Sequence, residues 1–429
     1  MRSQNPYLDT GSLNAAPMAS ALSPKTWPFS LDWLPEAAHL VGGSVRDALL
    51  HRQADYLDLD FVLPQGAISL ASTIAKHYHA GFVVLDAENQ IARAVFEHAT
   101  IDFAQQVGPT LETDLQRRDF TINAIAYHPQ TNALIDPLNG IEDLKHQTLR
   151  MVCSDNLAED PLRLLRAYRQ AAQLKFAIDS ETRAAIRRLA PRLKQVAAER
   201  VRHEIDALLS QPNGVKCLRL AWQDGVFDVW LPHLSATQVN QLAAVDAAIQ
   251  TFRQKSGYLT LLQSWKAAVP PGHYRSWIKL AKLAQLLRPG EAEAQLAHLK
   301  YSRSESQATL KILQAQPYLD NLAKGSLNRC DRFFFFKAVG SSFPAVALVG
   351  LAQGIPWETI NALTAQYLTP DDPIAHPQAL LTGRDLMQHL VLKPGPHIGE
   401  LLKALELAQA EGHIDSAETA LNWVKAKQI

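Results

Sequence analysis

The amino-acid sequence predicts an α+β fold in which a small α/β head precedes a long helical region. Six strand-like runs alternate with short helical patterns between residues 37 and 135, namely AHLVGG, LDLDFVL, GFVVLD, ARAVFE, TIDFA and IAYHP. Strand patterns stop after about residue 140, and helical periodicity dominates from residue 159 to the end. Because 429 residues exceed one ordinary hydrophobic core, we expect several domains.

Composition narrows the class of protein. The 42 basic and 42 acidic residues give a formal charge of zero, so a surface that binds nucleic acid would have to be local. Cys153, Cys217 and Cys330 lie far apart and form no zinc or disulfide pattern. The first 25 residues lack the apolar core of a signal peptide, and no later run is expected to span a membrane. These observations predict a cytoplasmic protein without a membrane partner.

The run LDLDFVL carries the first candidate site. Side chains alternate between the two faces of a strand, so Asp58 and Asp60 share one face while Leu59 and Phe61 share the other. Two adjacent carboxylates repel each other, which favours a divalent cation beside them. The ordinary alternative is an edge strand whose outer face is solvated.

A glycine-rich turn precedes the aspartates. In HLVGGSVRDALL, a short strand runs into Gly42, Gly43 and Ser44, and a helix then begins with Arg46 in its first turns. Glycines allow backbone N–H groups to approach an anion, and a helix N-terminus adds partial positive charge. The same pair is common in ordinary strand-to-helix turns. Thirteen residues separate Ser44 from Asp58.

This order of turn, helix and Asp-x-Asp strand resembles the DNA polymerase beta-type nucleotidyltransferase superfamily. The resemblance implies that the turn binds a triphosphate and that Asp58 and Asp60 hold Mg²⁺ for two-metal phosphoryl transfer. It also implies a third carboxylate on a neighbouring strand, for which Asp102 in TIDFA is the candidate.

The string RRDFTINAIAY, residues 117 to 127, adds candidates for nucleotide binding. Arg117 and Arg118 are suited to bidentate bonds with phosphate oxygens. Asp119 is suited to accept from a ribose 2′-hydroxyl, and Asn123 lies four residues on, at helical spacing. The alternative makes Asp119 a helix N-cap with the two arginines on a solvated surface.

The same string resembles a hallmark of the class II tRNA nucleotidyltransferase and bacterial poly(A) polymerase family. DPLNGIEDL, EDPLRLLRAYRQAAQLKF and ERVRHEI follow in the family's order, and LLTGRDL and KPGPHIGELL resemble its tail. The resemblance implies a polymerase beta-type head followed by all-α neck, body and tail segments, with the tail binding the tRNA elbow. We place a flexible N-terminus at 1–30, the head at 31–145, the neck at 146–210, the body at 211–368 and the tail at 369–429.

The segment EDPLRLLRAYR bears on the choice of base. Asp160 before Pro161 is typical of a helix start. The resemblance implies instead that Asp160 and Arg163 contact the Watson–Crick edge of the incoming base. A carboxylate acceptor beside a guanidinium donor favours cytosine and adenine over uracil and guanine. Arg166 and Arg169 follow at helical spacing and are further candidates for nucleotide binding.

A local basic segment surrounds these residues. Residues 161 to 202 contain eleven Arg or Lys against three acidic residues, a net charge of +8. Such a run is either a solvated helical face or a surface that follows RNA phosphates.

We therefore expect a tRNA nucleotidyltransferase that adds C and/or A from CTP and ATP to the tRNA 3′ end without a template. A poly(A) polymerase acting on other RNA and a catalytically silent RNA-binding protein are the alternatives. Only 16 residues, 103–118, separate Asp102 from Asp119, whereas the CCA-adding relatives that this chain resembles carry a longer flexible loop there. This difference favours the CC-adding subgroup, with A-adding and full CCA-adding activity as the open alternatives.

Overall fold

The computed structural model describes residues 21–52, 56–211, 214–255, 263–264, 277–325 and 327–427. They form two compact units, the first comprising 21–197 with 220–229 and the second 198–219 with 230–427. The five predicted segments are a finer division, which stays a prediction, and its first 20 residues lie outside the described part.

A seven-stranded mixed sheet forms the centre of the first unit. Its strand order is β3-β4-β5-β2-β1-β6-β7, and of the described strand pairs within this sheet only β2 and β5 are parallel. The strands are β1 His39–Val41, β2 Leu57–Leu63, β3 Gly81–Asp86, β4 Ile91–Val95, β5 Ala99–Gln105, β6 Ala126–His128 and β7 Ala133–Ile135. All six predicted strands are thus confirmed.

Strands also occur where the sequence predicted none. β7 extends the sheet beyond β6, and a separate parallel pair joins β8, Thr148–Leu149, to β9, Ala177–Ile178. The expectation that strands end near residue 140 was therefore wrong. These strands have two or three residues each, which is too short for an alternating pattern to show.

The described part of the first unit contains seven α-helices. They are α1 Gly43–Leu49, α2 Ala67–His77, α3 Leu111–Gln116, α4 Gly140–Lys145, α5 Ser154–Glu159, α6 Leu162–Leu174 and α7 Ser180–Leu189. In α6 the apolar residues recur at three- and four-residue spacing and are buried, which leaves one face for polar side chains.

Aromatic side chains support the back of the two parallel strands. Phe61 of β2 and Phe103 of β5 are paired in register, and their rings stack with centroids 5.6 Å apart. Trp27 and Phe29 pack on these rings and are almost fully buried. The expectation of a loose N-terminus up to residue 30 was therefore wrong for 21–30, because two large apolar side chains bury themselves there among small polar neighbours.

The second unit is entirely helical in its described part. Its helices are α8 Ala198–Ser210, α9 Gly214–Gln223, which ends in the first unit, α10 Ala236–Gln254, α11 Trp277–Leu286, α12 Ala292–His298, α13 Arg303–Gln314, α14 Gln316–Lys324, α15 Arg329–Val339, α16 Phe343–Ala352, α17 Trp357–Tyr367, α18 Gly383–Leu390, α19 Pro396–Glu411 and α20 Ala417–Lys427.

One stretch of the second unit, Arg329–Ala352, is long and apolar enough to cross a membrane by length and composition alone. It comprises α15 and α16, and 67% of its most apolar window is buried. The aromatic run at 333–336 supplies three of the buried side chains of this core. Burial against neighbouring helices accounts for the apolar composition.

Candidate active site

The two aspartates of β2 lie on one face of the sheet, as the alternation predicted. Asp58 is exposed and accepts a hydrogen bond from Thr100 Oγ1 at 2.8 Å, whereas Asp60 is half-buried. Burial and the neighbouring carboxylates Asp58 and Asp102 raise the pKa of Asp60 to about 6, although Arg118 and Arg93 act in the opposite direction. The site therefore concentrates negative charge that its own arginines only partly offset.

The glycine turn approaches this carboxylate closely. Gly42 has φ +78°, and a Cβ at this position would lie 3.1 Å from Asp60 Oδ2 and 3.6 Å from Arg118 Nη1. Only glycine meets both conditions without strain. Gly43 and Ser44 line a cavity of about 470 Å³ together with both aspartates. The predicted meeting of turn and Asp-x-Asp strand is therefore present.

Asp102 lies beside Asp60 but has a partner of its own. The two aspartates are paired in register across β2 and β5. Asp102 accepts from Arg93 Nε at 2.6 Å and from Arg93 Nη2 at 2.8 Å. Within the described residues, no three His, Cys, Asp or Glu side chains form a group that could hold a metal ion. Asp102 as a third ligand thus stays a prediction.

A second cavity of about 260 Å³ collects most of the other predicted residues. It is lined by Asp114, Arg117, Arg118, Asp119, Asp160, Arg163 and Arg166. Arg118 lines this cavity, and its Nη1 also lies beside the glycine turn, 3.6 Å from the place a Cβ of Gly42 would take. Its Nε–H is buried and has no hydrogen-bond partner in the described part of the chain, which leaves a donor for a ligand.

Asp119 is the buried acceptor at the base of this cavity. Its Oδ1 accepts from the backbone N–H of Phe120 at 2.9 Å and from Asn123 Nδ2 at 2.8 Å. Its Oδ2 accepts from Arg166 at 3.0 Å and from Gln170 at 3.4 Å. Burial acts to raise the pKa of Asp119, but Arg166, Asn123 and the backbone N–H outweigh burial and lower it. The N-cap alternative is wrong, because Phe120 caps the short 3₁₀ turn that follows.

Arg46 is held inside the protein rather than presented to solvent. It is buried, donates to Asn123 Oδ1 at 2.7 Å and to Gln170 Oε1 at 3.4 Å, and pairs with Asp47 at 2.9 Å. It also borders the cavity that contains the aspartates of β2. Arg46 therefore joins helix α1 to the hydrogen-bond network of Asp119.

Asp114 was missed by the sequence reasoning. It is buried and accepts from Arg117 Nε at 3.3 Å, Arg118 Nη2 at 3.1 Å and the backbone N–H of Val107 at 3.1 Å. The signal was present, because an acidic residue three and four positions before two arginines is at the spacing for helical ion pairs. Asp114 fixes the two arginines at the cavity wall.

Asp160 and Arg163 lie together at the other wall. Asp160 ends α5, and its Oδ1 accepts from the backbone N–H of Leu162 at 3.3 Å, while Pro161 is the N-cap of α6. The helix start thus falls one residue later than Asp160. Arg163 donates to the carbonyl oxygens of Arg117 at 3.1 Å and Asn156 at 2.9 Å.

Several arginines of the basic segment lie outside the second cavity. Arg169 donates to Gln173 Oε1 at 3.3 Å and is absent from the lining of both cavities described above. Arg183 and Arg187 bind the buried carboxylate of Asp224, which also accepts from the hydroxyl of Tyr168 at 2.6 Å. These internal bonds reduce the basic surface that the sequence predicted.

The mixed sheet, its Asp-x-Asp strand and the glycine turn define a nucleotidyltransferase head. Residues 38–150 match the family model of the poly A polymerase head domain, 175–237 that of the RNA and SrmB binding site of polymerase A, and 272–424 that of tRNA nucleotidyltransferase domain 2. The chain belongs to the tRNA nucleotidyltransferase and poly(A) polymerase family.

Individual relatives agree with this assignment. The chain is 47% identical over 403 residues to a CC-adding tRNA nucleotidyltransferase of Synechocystis, covering 93% of this chain and 95% of the relative. It is 33% identical to a CC-adding enzyme of Geobacter sulfurreducens, covering 91% and 92%, and 31% identical to an A-adding enzyme of Deinococcus radiodurans, covering 91% and 95%.

Solved structures show the same fold. A CCA-adding enzyme with ATP superposes with a TM-score of 0.68 at 21% identity, covering 91% of each chain. A Thermotoga maritima CCA-adding enzyme complexed with tRNA superposes with a TM-score of 0.64 at 21% identity, again covering 91% of each chain.

Proposed function

We propose that this protein adds two cytidines from CTP to the 3′ end of tRNA and leaves the terminal adenosine to another enzyme. The observation that carries the proposal is the short, fixed connection between β5 and α3. Two curated relatives that cover most of the chain are named as CC-adding enzymes, which supports it.

The connection spans only residues 106–110. The backbone N–H of Gln106 donates to the carbonyl of Leu63 at 2.7 Å, and its side chain donates to the carbonyl of Gly108 at 3.1 Å. The N–H of Val107 donates to Asp114, which also holds the arginines of the second cavity. A switch from cytosine to adenine requires the base site to rearrange. A five-residue segment that is bonded to its surroundings at two points and braced by one internal bond offers little freedom for such a step.

The carboxylates of β2 suit a hard divalent cation, for which we propose Mg²⁺. Asp58 and Asp60 supply oxygen ligands on one face, and Gly42 leaves space next to Asp60 Oδ2 that any Cβ would fill. A cation bound there would favour ionisation of the RNA 3′-hydroxyl and offset the charge of the triphosphate.

The chain's own groups would bind and orient the nucleotide. The backbone N–H groups of residues 42–44 and the Nε–H of Arg118, which has no partner among the described residues, would donate hydrogen bonds to phosphate oxygens. Arg117 is held by Asp114 for the same purpose. Because Asp119 already accepts from several protein donors, it would act by orienting Arg166. Asn123, bonded to Asp119, would stiffen the same network.

Asp160 and Arg163 would select the base. They face the same cavity, where a carboxylate and a guanidinium complement the donor and acceptor of cytosine. Asp160 would receive the exocyclic amino group, and Arg163 would donate to the ring nitrogen.

The proposal is tested with purified protein and two tRNA substrates. A tRNA that lacks all three terminal nucleotides should gain two residues with CTP and Mg²⁺. A tRNA that ends in CC should gain nothing with ATP. Efficient addition of A to the second substrate would refute the CC-only assignment and indicate full CCA addition, whereas failure with CTP and success with ATP would indicate an A-adding enzyme.

Catalytic variants test the cation site. Asp58→Ala and Asp60→Ala should abolish incorporation while leaving tRNA binding within about twofold, because phosphate contacts dominate RNA affinity. Glu36→Ala, an exposed carboxylate of the same unit, is the matched control. Appreciable turnover by either aspartate variant would refute the proposal that Asp58 and Asp60 bind the catalytic cation.

Two further parts of the proposal concern location and RNA contact. We propose a cytoplasmic location, where tRNA and CTP are both available, and fractionation tests it. We also propose that residues 369–429 bind the tRNA elbow. The full chain should protect the tRNA elbow from hydroxyl-radical cleavage. A variant that lacks these residues should lose that protection.

A further inference from the structure

A row of three charged side chains crosses the sheet beside the candidate cation site. In the register of the sheet, Arg93 of β4 is opposite Asp102 of β5, and Asp102 is opposite Asp60 of β2. Paired residues on neighbouring strands place their side chains on the same face. The row therefore reads guanidinium, carboxylate, carboxylate, and Asp102 separates Arg93 from Asp60.

Arg93 and the middle member of the row, Asp102, form a closed ion pair. Both oxygens of Asp102 accept from Arg93, at 2.6 and 2.8 Å, in the fork geometry that is characteristic of strong Arg–carboxylate pairs. Asp102 is 18% exposed and Arg93 37%, so the carboxylate end of the pair is the more protected from water. The bond to Asp102 is also the largest cause that raises the pKa of Arg93.

The hydrogen-bond partners of Asp102 differ from those of the aspartates of β2. Asp58 bonds a threonine hydroxyl and is otherwise exposed, whereas both oxygens of Asp102 carry a guanidinium. Both oxygens of Asp102 already bind a positively charged guanidinium. A metal cation would be repelled by that guanidinium, so Asp102 is poorly suited to bind one as well.

We propose that Arg93 is a positioning residue that keeps Asp102 as its ion-pair partner, so that Asp58 and Asp60 alone hold the catalytic cation. In this role Arg93 offsets the negative charge of Asp102, the carboxylate next to Asp60, and links β4 to β5. The proposal rests on the proposed function, since it concerns the same cation. In the competing arrangement Asp102 is a cation ligand, and its ion pair with Arg93 exists only until the cation binds.

Metal binding distinguishes the two arrangements without catalysis. Mn²⁺ binding is measured by titration calorimetry in the presence of CTP and without RNA, on the full chain. Asp102→Asn should bind Mn²⁺ within about twofold of the wild type, and Asp60→Asn should lose most of the protein-dependent binding. A loss of roughly tenfold or more in Asp102→Asn would make Asp102 a ligand and overturn the proposal.

Incorporation kinetics test the pair itself. Arg93→Gln and Asp102→Asn should each lower kcat roughly tenfold, with the KM for CTP within about twofold, because Arg93 is absent from the lining of both described cavities. The double variant should be no worse than either single variant, since it leaves no unpaired charge. Arg93→Lys should recover part of kcat.

The control is Arg150→Gln, which breaks another half-exposed arginine pair of the same unit, with Asp143 and Asp179, and should leave kcat unchanged. Additive losses, a rise of kcat in Arg93→Gln, or normal kcat in both single variants would each overturn the proposal. If the wild type adds no nucleotide at all, the proposed function fails, while the Mn²⁺ titration still decides the role of Asp102.

Discussion

Replacing Asp60 by asparagine is expected to stabilise the metal-free protein above pH 6, although the same change is expected to abolish incorporation. Asp60 is a half-buried carboxylate beside Asp58 and Asp102, and its ionisation adds a third negative charge to these two carboxylates. An asparagine of the same size removes that charge and keeps the packing against Gly42. The metal-free wild type therefore carries an unfavourable charge at the proposed cation site.

The magnitude follows from the pKa of Asp60. Its pKa rises from an ordinary 3.8 to about 6, a difference of roughly two pH units, or about 3 kcal/mol. Because the folded state binds the proton more tightly than the unfolded state, wild-type stability decreases as pH increases from about 4 to about 6. Above that range the full penalty applies, and below about pH 4 it vanishes.

The assay is calorimetric unfolding in EDTA at pH 4.5, 6.0 and 7.5. For a unit of this size, about 3 kcal/mol corresponds to a rise in melting temperature of roughly 6 to 12 °C for Asp60→Asn at pH 7.5. The difference should shrink towards pH 4.5, and Glu36→Gln, an exposed carboxylate, should show no such trend. Equal melting temperatures of Asp60→Asn and wild type at pH 7.5 would refute the reasoning.

Three further changes have defined outcomes. Gly42→Ala should lower kcat at least tenfold and destabilise the first unit by about 1 to 2 kcal/mol, measured by incorporation and melting, because φ is +78° and the Cβ meets Asp60. Asp114→Asn should raise the KM for CTP roughly fivefold more than it lowers kcat, since it releases Arg117. An unchanged KM would show that Asp114 does not position Arg117 for CTP binding. Arg163→Ala should relax discrimination against UTP by about 1 to 3 kcal/mol in competition assays, and a folded variant that stays selective would place base selection elsewhere.

The fold was predictable wherever a pattern was long enough to repeat. Strand β2 alternates over seven residues, and its aspartates emerged on one face as expected. The short strands β7, β8 and β9 carry no comparable pattern, and the packing of Trp27 on the sheet depends on distant residues. Local periodicity therefore gave the framework but not the elements that tertiary contacts create.

The candidate site was predictable as far as residue spacing determines it. The spacing between Ser44 and Asp58 was enough to bring the glycine turn and the Asp-x-Asp strand together. The partner of Asp102 was not predictable, because it depends on the register between β4 and β5. The burial of Arg46 likewise depends on Gln170, which lies 124 residues away in the chain.

The carboxylate of Asp224 has a consequence for how this chain can be divided. The segment 220–229 returns to the first unit after the chain has already entered the second, and Asp224 is bound there by Tyr168, Arg183 and Arg187. A fragment that ends near residue 210 would carry two arginines and a buried tyrosine hydroxyl without their acceptor, a loss of several kcal/mol for a buried network. A fragment that ends after residue 229 would keep the acceptor. The first unit is thus compact in space but discontinuous in sequence. An exchange of the second unit for that of another protein would have to keep residues 220–229 with the first unit.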